Sequence, residues 1–195
     1  MNTINLNLKK IDYIYHLADI HFPKNISTDE NICERYERMI TNILTDASTY
    51  KNTICIICGD LLNNNDQGSP ELIKKCIDFI NNLSKYMPVI LFAGNHDYNH
   101  INYQSWFDVI DIACNKDIYF LKESGYYIVE SLSNKILIGF QNITDNYYSF
   151  FYKNQDVKTV KSKNNCSRSI ALFHGNVTGF LINKKKFEYL SLIHI

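Results

Sequence analysis

Four short groups of residues carry chemistry along this chain: Asp19-Ile20-His21, Gly59-Asp60, Gly94-Asn95-His96-Asp97 and His174-Gly175. Their carboxylate, imidazole and amide side chains donate oxygen and nitrogen, with no thiolate among them. Such a set favours hard or borderline divalent ions (Mn²⁺, Fe or Zn) over a soft-metal site. Two such ions about 3.5–4 Å apart can clamp a phosphate, lower the pKa of a bound water and stabilise an in-line displacement. Asn95 offers a neutral oxygen ligand, and His96 an imidazole for acid–base work or charge stabilisation. Asp97 adds a carboxylate able to orient that imidazole. The nucleophile would be hydroxide on the ions, so no serine or cysteine is required for attack. D-x-H alone is a common pattern. G-N-H-D directly after a strand is far more selective, and all four groups in this order point to phosphoester hydrolysis.

Each group ends an apolar run that reads as a strand, so the sheet edge is what would bring the donors together. Ile11 to Ala18 is the first such run, Thr53 to Cys58 the second, Val89 to Ala93 the third and Ile170 to Phe173 a later one. Residues 32–47 carry Ile32, Tyr36, Met39, Ile40, Ile43, Leu44 and Ala47 at helical spacing. Ser69-Pro70-Glu71 opens a second helix as N-cap, first-turn proline and dipole-facing acid, with Leu72, Ile73, Cys76, Ile77, Ile80 and Leu83 as its stripe. Strand and helix alternating at this spacing imply βαβ units and parallel pairing. After a helix near 103–113, short strands at Ile118–Leu121, Tyr126–Glu130 and Lys135–Phe140 suit antiparallel pairing. Residues 141–167 read as a long polar loop, and Leu190 to Ile195 as the start of one more strand. The turn glycines Gly59 and Gly94 would let the backbone bend sharply as it leaves the sheet.

The 195 residues fit one domain, 1–195, with 46% hydrophobic and 21% charged residues. That balance excludes a disordered chain. Lys plus Arg (20) equals Asp plus Glu (20), so no global field draws the chain to nucleic acid, and a DNA partner would need a local patch. No apolar run approaches the length needed to span a bilayer, and the N-terminus lacks the apolar core of a signal peptide. The six cysteines have no disulfide-framework spacing. Cys55 and Cys58 form C-x-x-C inside a strand, where they would face opposite sides. An intracellular protein, cytoplasmic or nuclear and not secreted, is expected.

On these motifs the chain resembles the calcineurin-like metallophosphoesterase superfamily, whose pattern is D-x-H, G-D, G-N-H-D/E, H and a final G-H-x-H. The resemblance runs from Ile14 to the last residue and implies an α+β (α/β-type) fold: a four-layer αββα sandwich of two mixed sheets flanked by helices. It implies Asp19 and His21 as ligands of a first metal, Asp60 as the carboxylate bridging both, and Asn95 and His174 as ligands of a second. It implies His96 as the catalytic histidine and Asp97 as its orienting partner. The cofactors so implied are two divalent ions, Mn²⁺ first, with Fe or Zn as alternatives. Within the superfamily, Tyr15-His16-Leu17-Ala18-Asp19-Ile20-His21, Cys58-Gly59-Asp60-Leu61-Leu62 and Tyr119-Phe120-Leu121 are similar to the SbcD-type DNA double-strand-break-repair nucleases. That similarity implies DNA as substrate, and a homodimer with a coiled-coil ATPase partner. Asp60 is followed by Leu-Leu-Asn-Asn, unlike the D-R-G of the phosphoprotein phosphatases.

The last motif departs from the pattern. Aligned on G-H-x-H, Ile193 replaces the glycine and His194 takes the first histidine position, which by resemblance would bind the second metal. The second histidine would be residue 196. A domain truncated at its C-terminal end, with a weakened first metal site and reduced activity, is therefore expected. Lys153, Lys158, Lys161, Lys163, Arg168 and Lys184-Lys185-Lys186 could contact DNA phosphates or be a solvated loop. Tyr147, Tyr148, Phe150, Phe151 and Tyr152 could stack on bases or tether that loop. Beside the nuclease stand two alternatives: a phosphomonoesterase or nucleotide phosphodiesterase of the same fold, and a catalytically impaired binding module.

Overall fold

The structure is a computed structural model and describes residues 1–22, 30–63, 70–98, 105–145, 157–175, 180–182 and 185–187. Along the chain run β1 (Asn2–Asn5), β2 (Tyr13–Leu17), α1 (Glu30–Ala47), β3 (Thr53–Cys58), α2 (Pro70–Ser84) and β4 (Val89–Phe92). A 3₁₀ turn (Asn95–Asp97) and α3 (Phe107–Ala113) follow. Then come β5 (Ile118–Phe120), β6 (Gly125–Glu130), β7 (Lys135–Gln141), α4 (Val157–Lys163), β8 (Arg168–Phe173), β9 (Phe180–Ile182) and β10 (Lys185–Phe187).

One sheet has the order β2-β3-β4-β5, parallel throughout, and a second has the order β1-β6-β7-β8. In the second, only β6 and β7 pair antiparallel, while β1–β6 and β7–β8 are parallel. β9 and β10 form a separate antiparallel pair.

Period-two alternation sorts each strand of the first sheet between two cores. Cys55, Ile57, Val89 and Leu91 face the helices, where they meet Leu72, Cys76, Phe79, Ile80 and Leu83 of α2 and Phe107 and Ile110 of α3. Ile54, Ile56, Cys58, Ile90 and Phe92 face the second sheet and pack on Tyr127, Val129, Ile136, Ile138, Phe140, Ile170 and Leu172. On the far side of that sheet Ile128, Leu137 and Cys166 form a smaller cluster with Val160 of α4. The layers are thus helix, sheet, sheet, helix, as expected. Both faces of β3 and β4 are covered, which is why those strands are continuous apolar runs rather than alternating ones.

Several expectations need correction. The 118–121 strand pairs parallel to β4, not antiparallel. The segment 141–167 contains α4 and so is not loop throughout; its aromatic cluster and Lys153 lie outside the described residues, as do Ser69, Lys184 and the 190–195 strand. β1 was not foreseen: Asn-Thr-Ile-Asn has no alternation, and only Ile4 is buried. Cys55 and Cys58 do face opposite cores and are fully buried, which pushes both thiols well up. No helix among the described residues is long and apolar enough to cross a membrane.

Candidate active site

The parallel register aligns strand ends: Leu17 pairs with Ile57, and Cys58 with Phe92. Asp19, Asp60 and Asn95 therefore leave the first sheet on one edge, and His174 leaves β8 of the second sheet beside them. The exits are unusual in backbone terms. Asp19, His21 and Asp60 all have φ of 51°, three of the five non-glycine residues with positive φ in the described chain. That region costs non-glycine residues on the order of 1–3 kcal/mol each and persists only where surroundings impose it. Here backbone pairing continues past the strands: Asp19 N–H donates to the Gly59 carbonyl at 3.2 Å, His21 N–H to Asp60 at 3.0 Å and Phe22 N–H to Leu61 at 2.8 Å.

Gly59 bears out the sharp-bend expectation with φ of 79°. Gly94 does not; its φ of −90° suits any residue. A Cβ at Gly94 would land on the Asp60 carboxylate, 2.5 Å from the Asp60 nitrogen, so close approach is what requires a glycine there.

Asp60 sits at the centre and is buried. Its Oδ1 accepts the His96 backbone N–H at 2.9 Å. Its Oδ2 faces three imidazoles, 3.3 Å from His174 Nε2, 3.7 Å from His21 Nε2 and 4.0 Å from His96 Nε2. His21 Nε2 also lies 3.7 Å from Asp19 Oδ1. The His21 and His96 rings meet edge-on at 5.0 Å. His174 contacts the Cys58 carbonyl through Nδ1 at 2.8 Å, and with Nδ1–H donating there, Nε2 turns toward Asp60 Oδ2 and, at 3.1 Å, Asn95 Oδ1. In that tautomer three electron-pair donors face one another. A proton or a cation is needed between them, so the donor set fits a divalent ion. Ligand atoms of Asp19, Asp60 and His174 all lie within 4.8 Å of one another.

The electrostatics agree. Burial pushes the Asp60 carboxyl up, but His174 and the His96 N–H outweigh it and hold it below the usual range. Burial lowers His174, yet the Asp60 carboxylate raises it above its ordinary value. In the metal-free protein the His174 contribution is therefore present in acid and lost as pH rises through its raised pKa. The Asp60 contribution is present at neutral pH and lost as pH falls through its lowered one. A cation arriving below the His174 pKa must displace the proton. Calorimetric titrations with a divalent ion in buffers of different ionisation enthalpy should show proton release in acid that shrinks as pH rises through the raised His174 pKa, with affinity rising over the same range.

Asp97 departs from its expected role. Its fully buried carboxylate accepts the backbone N–H groups of Gly94 at 2.8 Å, Leu62 at 2.9 Å and Leu61 at 3.4 Å. Burial pushes it up to about 7 against the pull of those donors. His96 Nδ1 is buried with no partner among the described residues, so Asp97 does not orient that ring. It ties the Gly59-Asp60 exit to the Gly94 turn instead. A three-residue 3₁₀ turn points the carboxylate back at its own start, a geometry that motif order alone does not reveal.

Of the expected site residues, Asp19, His21, Asp60, Asn95, His96 and His174 converge, Asp97 lies behind them, and His194 falls outside the described residues. Sequence reasoning missed Tyr36, whose hydroxyl donates to the His21 carbonyl at 2.7 Å. It also missed Asn142, which accepts the Tyr98 hydroxyl at 3.2 Å and donates to the Lys122 carbonyl at 2.6 Å, fixing the chain just after the 3₁₀ turn. Nothing but a tyrosine in an apolar stripe and an asparagine after a strand marked them. Arg168 opens β8 and His174 follows its end, about 20 Å away at strand rise.

Carboxylates and imidazoles thus converge on one edge of a helix-flanked pair of sheets, a donor set that fits divalent ions. Residues 13–192 match the family described as Calcineurin-like phosphoesterase (Metallophos), and the chain belongs to that family. Family membership points to metal-dependent phosphoester hydrolysis. The chain is 31% identical over 179 residues to an uncharacterised protein, R555, of Acanthamoeba polyphaga mimivirus, covering 86% of this chain and 12% of that one. It is 29% identical over 87 residues to a suggested phosphoesterase, 244L, of Invertebrate iridescent virus 6, covering 45% of this chain and 28% of that one. The chain thus spans less than a third of either relative. Among solved structures, a protein of unknown function, AQ665, from Aquifex aeolicus aligns over 90% of this chain and 83% of its own, at 17% identity and a TM-score of 0.39.

Proposed function

We propose that the chain is a metal-dependent phosphodiesterase that cleaves DNA, with Asp19, His21 and Asp60 holding one divalent ion and Asp60, Asn95 and His174 the other. The supporting observation is the Asp60 Oδ2 atom, which faces His21 on one side and His174 on the other. Mn²⁺ is the first choice for both ions, which when bound polarise the phosphoryl oxygens and activate the attacking water. The residues do the rest. The Asp60 carboxylate and the Asn95 amide fix the ligand geometry, and the Cys58 carbonyl keeps His174 Nε2 aimed inward. His96, with its side chain about one-third exposed (36%), faces where a substrate enters and would give a proton to the leaving oxygen or stabilise its charge. A homodimer with a coiled-coil ATPase partner rests on resemblance to the repair nucleases alone, as does a further ligand at His194.

A second reading, hydrolysis of nucleotides or other small phosphoesters, is favoured by the distance of Arg168 from the site. Incubation with linear DNA and with aryl phosphates separates the two. For catalysis itself the decisive variant is His96→Ala. Turnover should fall on the order of 10²–10⁴-fold, the worth of a positioned acid or base, while bound Mn²⁺ is unchanged. Retained turnover would remove His96 from the chemistry.

A further inference from the structure

Asp19 and His21 stand on a short segment between β2 and α1 whose conformation is costly, with both residues at φ of 51°. The N–H side of that segment is held by the carbonyls of Gly59, Asp60 and Leu61. Its carbonyl side is different. A left-handed residue turns its C=O away from the ladder, so the His21 carbonyl needs a donor from elsewhere. Among the described residues that donor is the Tyr36 hydroxyl at 2.7 Å, which also lies 3.4 Å from the Ile20 carbonyl. The Tyr36 ring is half-buried against Phe22, 6.1 Å between centroids, and Phe22 packs edge-on against Phe79 of α2 at 5.7 Å. The hydroxyl is therefore delivered by a ring wedged in the helix layer and not by a mobile surface side chain.

We propose that Tyr36 is a positioning residue for one half of the metal site: through the His21 carbonyl it holds Asp19 and His21 in their ligand-presenting conformation and leaves the Asn95–His174 half untouched. This rests on the two-ion reading given above. The helix layer thereby sets the affinity for one ion selectively, although none of the proposed ligands stands on α1 to α4.

Tyr36→Phe deletes the hydroxyl and keeps the ring packing. Mn²⁺ is titrated calorimetrically into the metal-free full chain and the variant at pH 8, and both metal-free proteins are melted. Tyr15→Phe serves as control, since its hydroxyl bonds Asp46 at 3.0 Å and not the ligand segment. The expected result is two binding events in the parent and in Tyr15→Phe. In Tyr36→Phe one event should weaken about five- to tenfold, the worth of one hydrogen bond, with the other unchanged and the metal-free melting temperature lower by no more than about 5 °C. Equal affinities in Tyr36→Phe and parent overturn the proposal. So does equal weakening of both events or a large fall in melting temperature, which would make Tyr36 a general prop. A parent chain that binds no Mn²⁺ sinks the metal reading itself, a separate outcome.

Discussion

Asp60→Ala leaves a folded protein that retains no divalent ions through gel filtration and turns over substrate at less than about one hundredth of the parental rate. The size of the effect comes from position. Asp60 is the carboxylate whose one oxygen lies within 4.0 Å of His21, His96 and His174 together. Asp19, more exposed, lies 3.7 Å from His21 Nε2 and within 4.8 Å of a His174 ring nitrogen. Removing even an outer partner of a metal ligand costs about 10–100-fold in affinity, so losing the carboxylate proposed to serve both ions should cost more. The fold should survive. The lost contacts are the bond from the His96 N–H and the 3.3 Å pairing with His174 Nε2, and the N–H left unpaired costs roughly 1–3 kcal/mol. Part of that is recovered because the Asp60 charge no longer disfavours the Asp97 carboxylate behind it. Metal analysis of the purified variant and a circular dichroism melt check both halves. A full Mn²⁺ complement in Asp60→Ala would refute the central role given to this carboxylate.

Gly94→Ala has a comparable effect by a different route. Its φ of −90° is open to alanine, so no backbone strain is involved. The methyl has nowhere to go, because it meets the Asp60 carboxylate and the Asp60 backbone nitrogen at 2.5 Å. A flexible side chain could move aside, but a backbone atom in a paired segment cannot. Overpacking costs about 1–3 kcal/mol and occasionally more; with backbone as the obstacle the upper end applies. At about 2–4 °C per kcal/mol for a chain of this size, the melting temperature should drop by roughly 10 °C. Asp60 must also shift, so Mn²⁺ binding should weaken even where the protein stays folded. A variant that melts and binds Mn²⁺ like the parent would mean that the two exits are further apart than the structure has them.

Most element positions are legible in the amino-acid order. β3 matches its sequence reading from Thr53 to Cys58, and α2 starts at Pro70, because continuous apolar runs and a proline in the first turn are local signals. The six converging donors are legible too, since each follows such a run. What escapes is set by distant pairing. β5 has three residues and no alternation to show that its partner is β4, across the whole of α3 in the parallel unit. The Asp97 carboxylate turns away from His96 because three backbone donors of two separate loops converge on it, and no spacing rule encodes that. Tyr36 reads as one more apolar contact because its ring packs as one; only its hydroxyl does something else.

The site is divided between the two sheets, with Asp19, Asp60 and Asn95 on one and His174 on the other. Cys58 and His174 are 116 residues apart in sequence, yet one hydrogen bond joins them. A cation held by both sides is then a cross-link, fastening two halves of a sandwich at their rim. It cannot be captured before the sheets have docked, so the nascent chain must complete its long-range assembly without it. Once captured, the ion makes separation of the sheets and its own release a single event. At a free concentration one hundred times its dissociation constant, it adds about 2.7 kcal/mol against opening. Starvation for the metal would loosen the sandwich as well as silence the chemistry.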